Sequence, residues 1–258
     1  MNPKTTKIII FADLDGSLLN DKYEYDQIEP IIQQLLSSKV SIVLASSKTK
    51  NEIEFYRKKL KITDPFIIEN GSAILIPQTY FTIKYEFTKQ IQGYNIIELG
   101  TAYSIIREKL EFVKKRTSAN IMGFADMTAQ EIAKDSGLPI YLAQLAKKRE
   151  YSEPFKILSG VEKEVLEAIN EAGLCVTFGG RYLTALGNCD KGKATSILKN
   201  LYVQQFKTIY CIGVGDSAND LTMLKNVDKP FFVKKTDNKK ELWKEIESIA
   251  QTQQKNQN

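Results

Sequence analysis

Asp13 and Asp15 close an apolar run near the start of the chain, and Asp216 and Asp220 close another near its end. The first run reads Ile8-Ile9-Ile10-Phe11-Ala12 into Asp13-Leu14-Asp15-Gly16-Ser17. The second reads Thr208-Ile209-Tyr210-Cys211-Ile212 into Gly213-Val214-Gly215-Asp216-Ser217-Ala218-Asn219-Asp220. Each has the form of a buried strand ending in carboxylates on a tight, glycine-bearing turn. In an open α/β sheet, ligands gather just beyond the carboxyl ends of the strands. Carboxylates clustered there can hold a hard divalent cation, and one of them can act as a nucleophile. Asp13 and Asp15 are two residues apart, so on a continuing strand they would share a face. That spacing suits a nucleophile beside a general acid/base. Taken singly, the first stretch is equally a polar turn, and the second a helix start with acidic residues facing the dipole.

Two further stretches bear on the same chemistry. Ser46 ends the apolar run Val40 to Ala45 and precedes a helix, so its hydroxyl and the N–H groups of Ser47 and Lys48 can hold phosphate oxygens. A helix cap is the competing role. Lys191, between Asp190 and Gly192 at another helix start, can neutralise phosphate charge and restrain a nucleophile; a solvated lysine is the plain alternative. The chain has no histidine. That excludes Ser-His-Asp and Cys-His hydrolases and histidine-ligated metal sites. Any hydrolysis must run on carboxylates, lysines and hydroxyls.

Strands and helices that position these residues are legible in the patterning. A strand is predicted over 7–12, a helix over 28–38, a buried parallel strand over 40–45, a helix over 51–60 and a strand over 65–68. Ala73 to Ile76 and Tyr80 to Tyr85 read as a hairpin or an edge pair. In the middle, Ile96 to Val113 reads as an amphipathic helix, Thr128 as a helix N-cap, and Tyr141 to Lys148 as a helix. Strands near 153–158, 174–178 and 181–186 surround a helix over 162–172, with Gly179-Gly180 as a turn. Alternation resumes with a helix from Asp190 to Leu201, a strand over 208–213, a helix over 219–227, a strand over 230–233 and a last helix over 239–250; Gln251 to Asn258 reads as a frayed polar tail. The expected architecture is α/β: a doubly wound, mostly parallel, Rossmann-like core over 1–87 and 188–258, interrupted by an α+β cap over 88–187.

Composition sets wider limits. At 43% apolar and 26% charged residues, the 258-residue chain can bury a sizeable core. A net charge of +5 is mild and dispersed, which gives no reason to expect a nucleic-acid partner and is compatible with a small anionic substrate. The three cysteines, Cys175, Cys189 and Cys211, lack zinc spacing and read as thiols in a reducing compartment. No signal peptide and no span of the roughly 20 apolar residues needed to cross a bilayer is evident. The expectation is a cytoplasmic protein without a membrane partner; oligomeric state is not legible.

In order, DxDG, strand-Ser, a distant Lys and GDSxND form the four-part pattern of the haloacid-dehalogenase-like phosphatases, and the chain resembles that superfamily from end to end. The insertion lies between the second and third motifs, as in its subgroup with a large α+β cap. The resemblance implies Asp13 as nucleophile and Asp15 as general acid/base. It implies Mg²⁺ held by Asp13, the backbone carbonyl of Asp15 and Asp216, with Asp220 in or near that shell. Ser46, Ser47, Lys191 and Asn219 would hold phosphate. Ser17 stands where a threonine is often seen and keeps the hydroxyl. Arg149-Glu150-Tyr151-Ser152-Glu153-Pro154-Phe155, Gly179-Gly180-Arg181-Tyr182, Ser46-Ser47-Lys48-Thr49, Glu69-Asn70-Gly71, Phe124-Ala125-Asp126-Met127 and Asp190-Lys191-Gly192-Lys193 resemble the mannosyl-3-phosphoglycerate phosphatase family. That likeness implies a small glycosyl phosphoglycerate as substrate, contacted by Arg149, Ser152, Glu153 and Arg181, with Lys48, Glu69, Asn70 and Met127 nearby. Ser72 departs from the small Gly or Ala common after the Glu-Asn-Gly run.

Overall fold

A computed structural model describes residues 6–20, 22–91, 93–179 and 181–255. In chain order, the first part comprises β1 (Lys7–Ala12), α1 (Glu29–Ser37), β2 (Ser41–Leu44), α2 (Lys50–Leu60), β3 (Phe66–Ile68), β4 (Ala73–Pro77), β5 (Lys89–Ile91) and β6 (Tyr94–Glu98). The middle comprises α3 (Tyr103–Thr117), β7 (Asn120–Gly123), α4 (Ala129–Ser136), α5 (Ile140–Ala146), β8 (Ser152–Ser159), α6 (Glu162–Glu171), β9 (Cys175–Gly179) and β10 (Tyr182–Leu186). The last part comprises α7 (Lys191–Phe206), β11 (Ile209–Gly215), α8 (Leu221–Leu224), β12 (Lys229–Phe232) and α9 (Lys239–Lys255).

The central sheet runs β12-β11-β1-β2, all parallel. An isolated parallel bridge from Ala45 to Ile67 carries it on to β3. Ile8, Ile10 and Ala12 of β1 join the apolar layer that includes Ile32 of α1, Ile53 of α2 and Trp243 of α9. Ile9 and Phe11 face the opposite layer with Ala194 and Leu198 of α7. Period-two alternation between two apolar layers explains why β1 is apolar from Ile8 to Ala12: there neither face meets water. With β2 on one side and β11 on the other, the end of β1 is where the winding of the sheet reverses, the place where such folds open a ligand crevice.

Two antiparallel sheets complete the molecule. One runs β3-β4-β6-β5 and the other β7-β8-β10-β9. The second carries α3 and α6 over one face, where Ile106, Leu110, Phe155, Val165 and Ile169 form a separate apolar cluster. The expected boundary at 87/88 falls inside the first antiparallel sheet, because β5 and β6 pair back toward β4. A division that follows the pairing puts the cap at about Tyr103 to Leu186, and we propose that one in its place.

The expectations for several individual elements are corrected by the structure. Residues 80–85 form no strand among the described residues, and β4 pairs with β3 and β6. Ile96 and Ile97, assigned above to a helix, lie in β6; the helix begins only at Tyr103. Their apolar side chains fit either period, and the partner strand β4 decides. β7 was not expected. The helix expected over 219–227 is a 3-10 turn followed by the four residues of α8, and α9 extends to Lys255. Gly180 and residues 256–258 lie outside the described residues. Thr128 is the N-cap of α4, with a reciprocal capping box to Glu131.

α9 reaches the acidic turn after β1 through Trp243 and through Lys239, whose ammonium donates to the Leu19 carbonyl at 2.6 Å. Trp243 is fully buried and its indole N–H donates to the carbonyl of Ser17 at 3.1 Å. Trp243→Ala should destabilise the fold by about 3–5 kcal/mol. Urea denaturation followed by circular dichroism checks this; a cost under about 1 kcal/mol would mean that α9 does not brace the turn.

Candidate active site

Three strand ends converge. Asp13 follows β1, Ser46 follows β2 by two residues, and Asp216 follows β11 directly. The Asp13 N–H donates to the Val214 carbonyl at 2.9 Å, so parallel pairing itself fixes Asp13 beside the β11 loop. Gly16 lets the first turn close at φ +74°, and a Cβ there would collide with the Asp216 carboxylate.

Lys191 joins the two halves of the chain. From the first turn of α7 its ammonium reaches Asp13 Oδ1 at 2.6 Å and Asp220 Oδ1 at 2.6 Å, with all three side chains almost fully buried. Asp220 is held in turn by the Asp216 N–H at 3.1 Å, the Ser217 N–H at 3.0 Å and the Ser217 hydroxyl at 2.9 Å. Oxygens of Asp13, Asp216 and Asp220 lie within 4.8 Å of one another.

On the other side, Lys48 meets Asp15 Oδ2 at 2.8 Å and lies 3.9 Å from Glu52. Its ammonium stands over the Tyr23 ring at 5.2 Å. Asp15 Oδ1 is buried without a hydrogen-bond partner.

The electrostatics show a shortage of positive charge. Burial, reinforced by Asp220 and Asp15 and opposed by Lys191, pushes the Asp13 carboxyl well above the usual carboxylate range. Burial and then Asp220 raise Asp216 as well. Lys191 shifts the other way from what burial alone would do: Asp13 and Asp220 outweigh its desolvation and hold it charged. These directions agree physically, because Asp13, Asp216 and Asp220 crowd together and Lys191 bridges only Asp13 and Asp220. A hard divalent cation would supply the missing charge, and an all-oxygen donor set this close together fits one.

Of the remaining candidates, Ser46 is fully buried, with its hydroxyl accepting from the Lys48 N–H at 3.4 Å. Ser47 offers its carbonyl to Arg149 at 2.7 Å. Asn219 donates to Asn70 Oδ1 at 2.9 Å and faces Gly179 of the cap. Arg149 also donates to Ser152 Oγ at 3.2 Å and to the Ala146 carbonyl. Glu69 spends both oxygens on the cap, and Glu153 spends both within it. Glu69 accepts from the N–H groups of Glu150 (2.9 Å) and Tyr151 (3.0 Å) and from Ser152 Oγ (2.7 Å). Glu153 is wholly buried and accepts from Tyr103 at 2.6 Å, Arg107 at 3.1 Å and the Ala125 N–H at 3.0 Å. Both carboxylates thus have several structural partners within the protein. Met127 packs in the apolar layer that also holds Phe124, Tyr151 and Tyr182. Arg181 is exposed and donates to the Asp135 carbonyl at 3.2 Å.

Sequence reasoning missed Tyr23, whose hydroxyl crosses to the cap carbonyl of Ser136 at 3.4 Å. It also missed Thr49, which caps α2 in a box with Glu52 and donates to the cap carbonyl of Leu145 at 3.1 Å. The Thr-x-x-Glu spacing could have revealed the cap of α2; nothing in the sequence marks Tyr23.

A parallel sheet with acidic loops at its switch point, a buried lysine and an inserted α+β unit define a hydrolase core of a known kind. The chain matches the haloacid dehalogenase-like hydrolases over residues 10–256 and belongs to that family. It is 45% identical over 236 residues to the glucosyl-3-phosphoglycerate/mannosyl-3-phosphoglycerate phosphatase of Methanococcoides burtonii, covering 90% of this chain and 87% of the relative. It is 42% identical over 235 residues to the mannosyl-3-phosphoglycerate phosphatase of Pyrococcus horikoshii, covering 90% and 93%. Among solved structures, a Thermoplasma acidophilum protein superposes with TM-score 0.65 at 18% identity, covering 95% of this chain and 99% of that one. A phosphatase of the haloalkanoate superfamily from Bacteroides thetaiotaomicron superposes with TM-score 0.62 at 15% identity, covering 96% of each. Both support the fold.

The raised Asp13 carboxyl has a pH consequence. Between about pH 4 and about pH 8 the folded protein keeps a proton that the unfolded chain has lost, so cation-free stability falls as pH rises through that window. A bound divalent cation displaces that proton. The gain in melting temperature on adding a divalent cation should therefore be larger at pH 8 than at pH 6. A gain that is flat or shrinks with pH would show that the cation does not compete for this carboxyl.

Proposed function

We propose that the chain is a Mg²⁺-dependent phosphomonoesterase that hydrolyses 2-O-mannosyl-3-phosphoglycerate to mannosylglycerate and phosphate. The observation that carries the chemistry is the buried Lys191 bridge between Asp13 and Asp220, beside a cluster of carboxylates with unbalanced charge. The substrate class rests on the relatives named for mannosyl- and glucosyl-3-phosphoglycerate. Because one relative carries both sugars in its name, the glucosyl compound is the second reading.

Asp13, the backbone carbonyl of Asp15, Asp216 and Asp220 would hold Mg²⁺, which supplies charge neutralisation at the transferring phosphoryl group. The Asp13 carboxylate attacks phosphorus and forms an aspartyl-phosphate, while the phosphorus–oxygen bond to the glycerate carbon breaks. Asp15 gives its proton to the departing alkoxide. Water then attacks the aspartyl-phosphate, Asp15 takes back a proton, and the Asp13 carboxylate and phosphate are released. Lys191 holds Asp13 in line and lowers the charge repulsion between a carboxylate and a phosphate dianion. Ser46, Ser47 and Asn219 receive phosphate oxygens. Lys48, placed against Asp15 Oδ2, orients the acid/base group.

The cap lies over this site. Arg149 reaches Ser47, Tyr23 reaches Ser136, and Gly179 faces Asn219. Closure on this scale excludes water until transfer is complete.

Phosphate release across 2-O-mannosyl-3-phosphoglycerate, the glucosyl compound and hexose phosphates, with and without Mg²⁺, tests the reading. The mannosyl compound should have the highest kcat/KM, and removing Mg²⁺ should abolish turnover; a faster hexose phosphate would sink the substrate assignment. Asp13→Asn should bring turnover to background, and full retention would rule out the covalent route. Lys191→Met should lower kcat by roughly 10²–10³-fold through lost charge stabilisation. A loss under about tenfold would remove Lys191 from the chemistry.

A further inference from the structure

Glu69, Asn70 and Gly71 form one 3-10 turn whose three residues all lie at positive φ: 46°, 61° and 93°. Left-handed backbone at two successive non-glycine residues is uncommon, and it persists only where surroundings enforce it. Here the surroundings are four separate parts of the protein. The Glu69 carboxylate is fully buried and grips the start of the cap's β8 through the N–H groups of Glu150 and Tyr151 and the hydroxyl of Ser152. The Asn70 side chain holds Asn219 at 2.9 Å on the acidic loop. Gly71 lies against the backbone of Asp190 and Lys191, so close that a Cβ would overlap the Asp190 carbonyl. Backbone N–H groups of Glu69 and Asn70 donate to the carbonyls of Lys48 and Ser46, both at 3.0 Å.

The gripped cap segment is the cap's point of attachment. The Glu150 carbonyl accepts from the Tyr103 N–H at 2.8 Å, where the chain enters the cap, and Ser152 pairs with Leu186, where it leaves. Glu69 therefore fixes the cap near its pivot, while Asn70, one residue on, fixes a side chain that faces phosphate in the proposed reaction.

We propose that this turn is a positioning element that couples cap placement to phosphate binding: Glu69 sets the cap and Asn70 sets Asn219, through one rigid backbone unit. It rests on the reading of Asn219 as a phosphate ligand. A phosphate held by Asn219 stiffens the Asn219–Asn70 contact, and the turn passes that order to the Glu69 clamp. Both residues act through others and touch no reacting atom.

Inorganic phosphate is the probe, with the Mg²⁺-loaded protein and hydrogen exchange as readout. Saturating phosphate, with saturation established by calorimetry for each variant, should slow amide exchange at Glu150 and Tyr151 at least fivefold. In Asn70→Gly the slowing should fall below twofold, because glycine keeps the left-handed backbone and loses the acceptor for Asn219. Protection that survives in Asn70→Gly overturns the proposal, as does phosphate that binds the unaltered protein without protecting these amides. Phosphate that does not bind at all overturns the phosphate-site reading instead. Should Asn70→Gly fail to fold, Glu69→Gln gives a second test. It should reduce kcat/KM for 2-O-mannosyl-3-phosphoglycerate at least tenfold more than for p-nitrophenyl phosphate, which needs little from the cap. Parallel losses on both substrates would make Glu69 a structural residue only and overturn the coupling.

Discussion

Lys191 is an ammonium ion held almost without solvent between two carboxylates, and the site stands or falls with that arrangement. Removing a charge from water is costly, and a buried ion pair recovers the cost only with close geometry and full hydrogen bonding. The 2.6 Å contacts to Asp13 and Asp220 supply the geometry, and the two backbone N–H groups and one hydroxyl on Asp220 supply the bonding. The residues in this bridge come from β1, α7 and the loop after β11, so it also closes the two core segments around the inserted cap.

The bridge leaves an excess of negative charge on one side of the site. Burial and the neighbouring carboxylates push both Asp13 and Asp216 above the usual carboxylate range. Arrangements that strain the charged state of several groups at once are common where a protein is built to bind a counter-ion. On the other side, Lys48 balances Asp15 and Glu52 inside the same enclosure. The site is thus divided: a cation-seeking face around Asp13 and Asp216, and a face around Asp15 that Lys48 partly neutralises.

The cap is joined to this core by directional bonds as well as by apolar packing. Carbonyls at Ser47, Leu145 and Ser136 and the carboxylate of Glu69 carry the junction. Polar junctions of this kind can be exchanged for water when a cap opens, which an apolar seam resists. Within the cap, Glu153 does comparable work by tying Tyr103 and Arg107 of α3 to the loop after β7. The substrate role expected for Glu153 came from its place in a motif, and a residue that holds a motif in shape has the same sequence signature as one that reads a ligand.

Strand-end carboxylates, the serine after β2 and the lysine at the start of α7 were legible because each depends on local pattern: an apolar run, a turn residue, a helix start. The same held for β1, β2 and most core helices, whose period of hydrophobicity is set by the layer they face. Ile96 and Ile97 show where local pattern fails, since an apolar pair suits a helix or a strand until β4 pairs with it. Glu69 and Asn70 show the same limit at the site. Sequence placed them near the substrate, but only the packing of β8, the acidic loop and α7 around one left-handed turn decided which partners their side chains take. By itself the sequence determined which chemistry is available: carboxylates, lysines and hydroxyls without histidine, in an order that one family shares. The tertiary structure decided which of those groups remain free for a ligand, because hydrogen-bond partners and burial are set by residues distant in the chain.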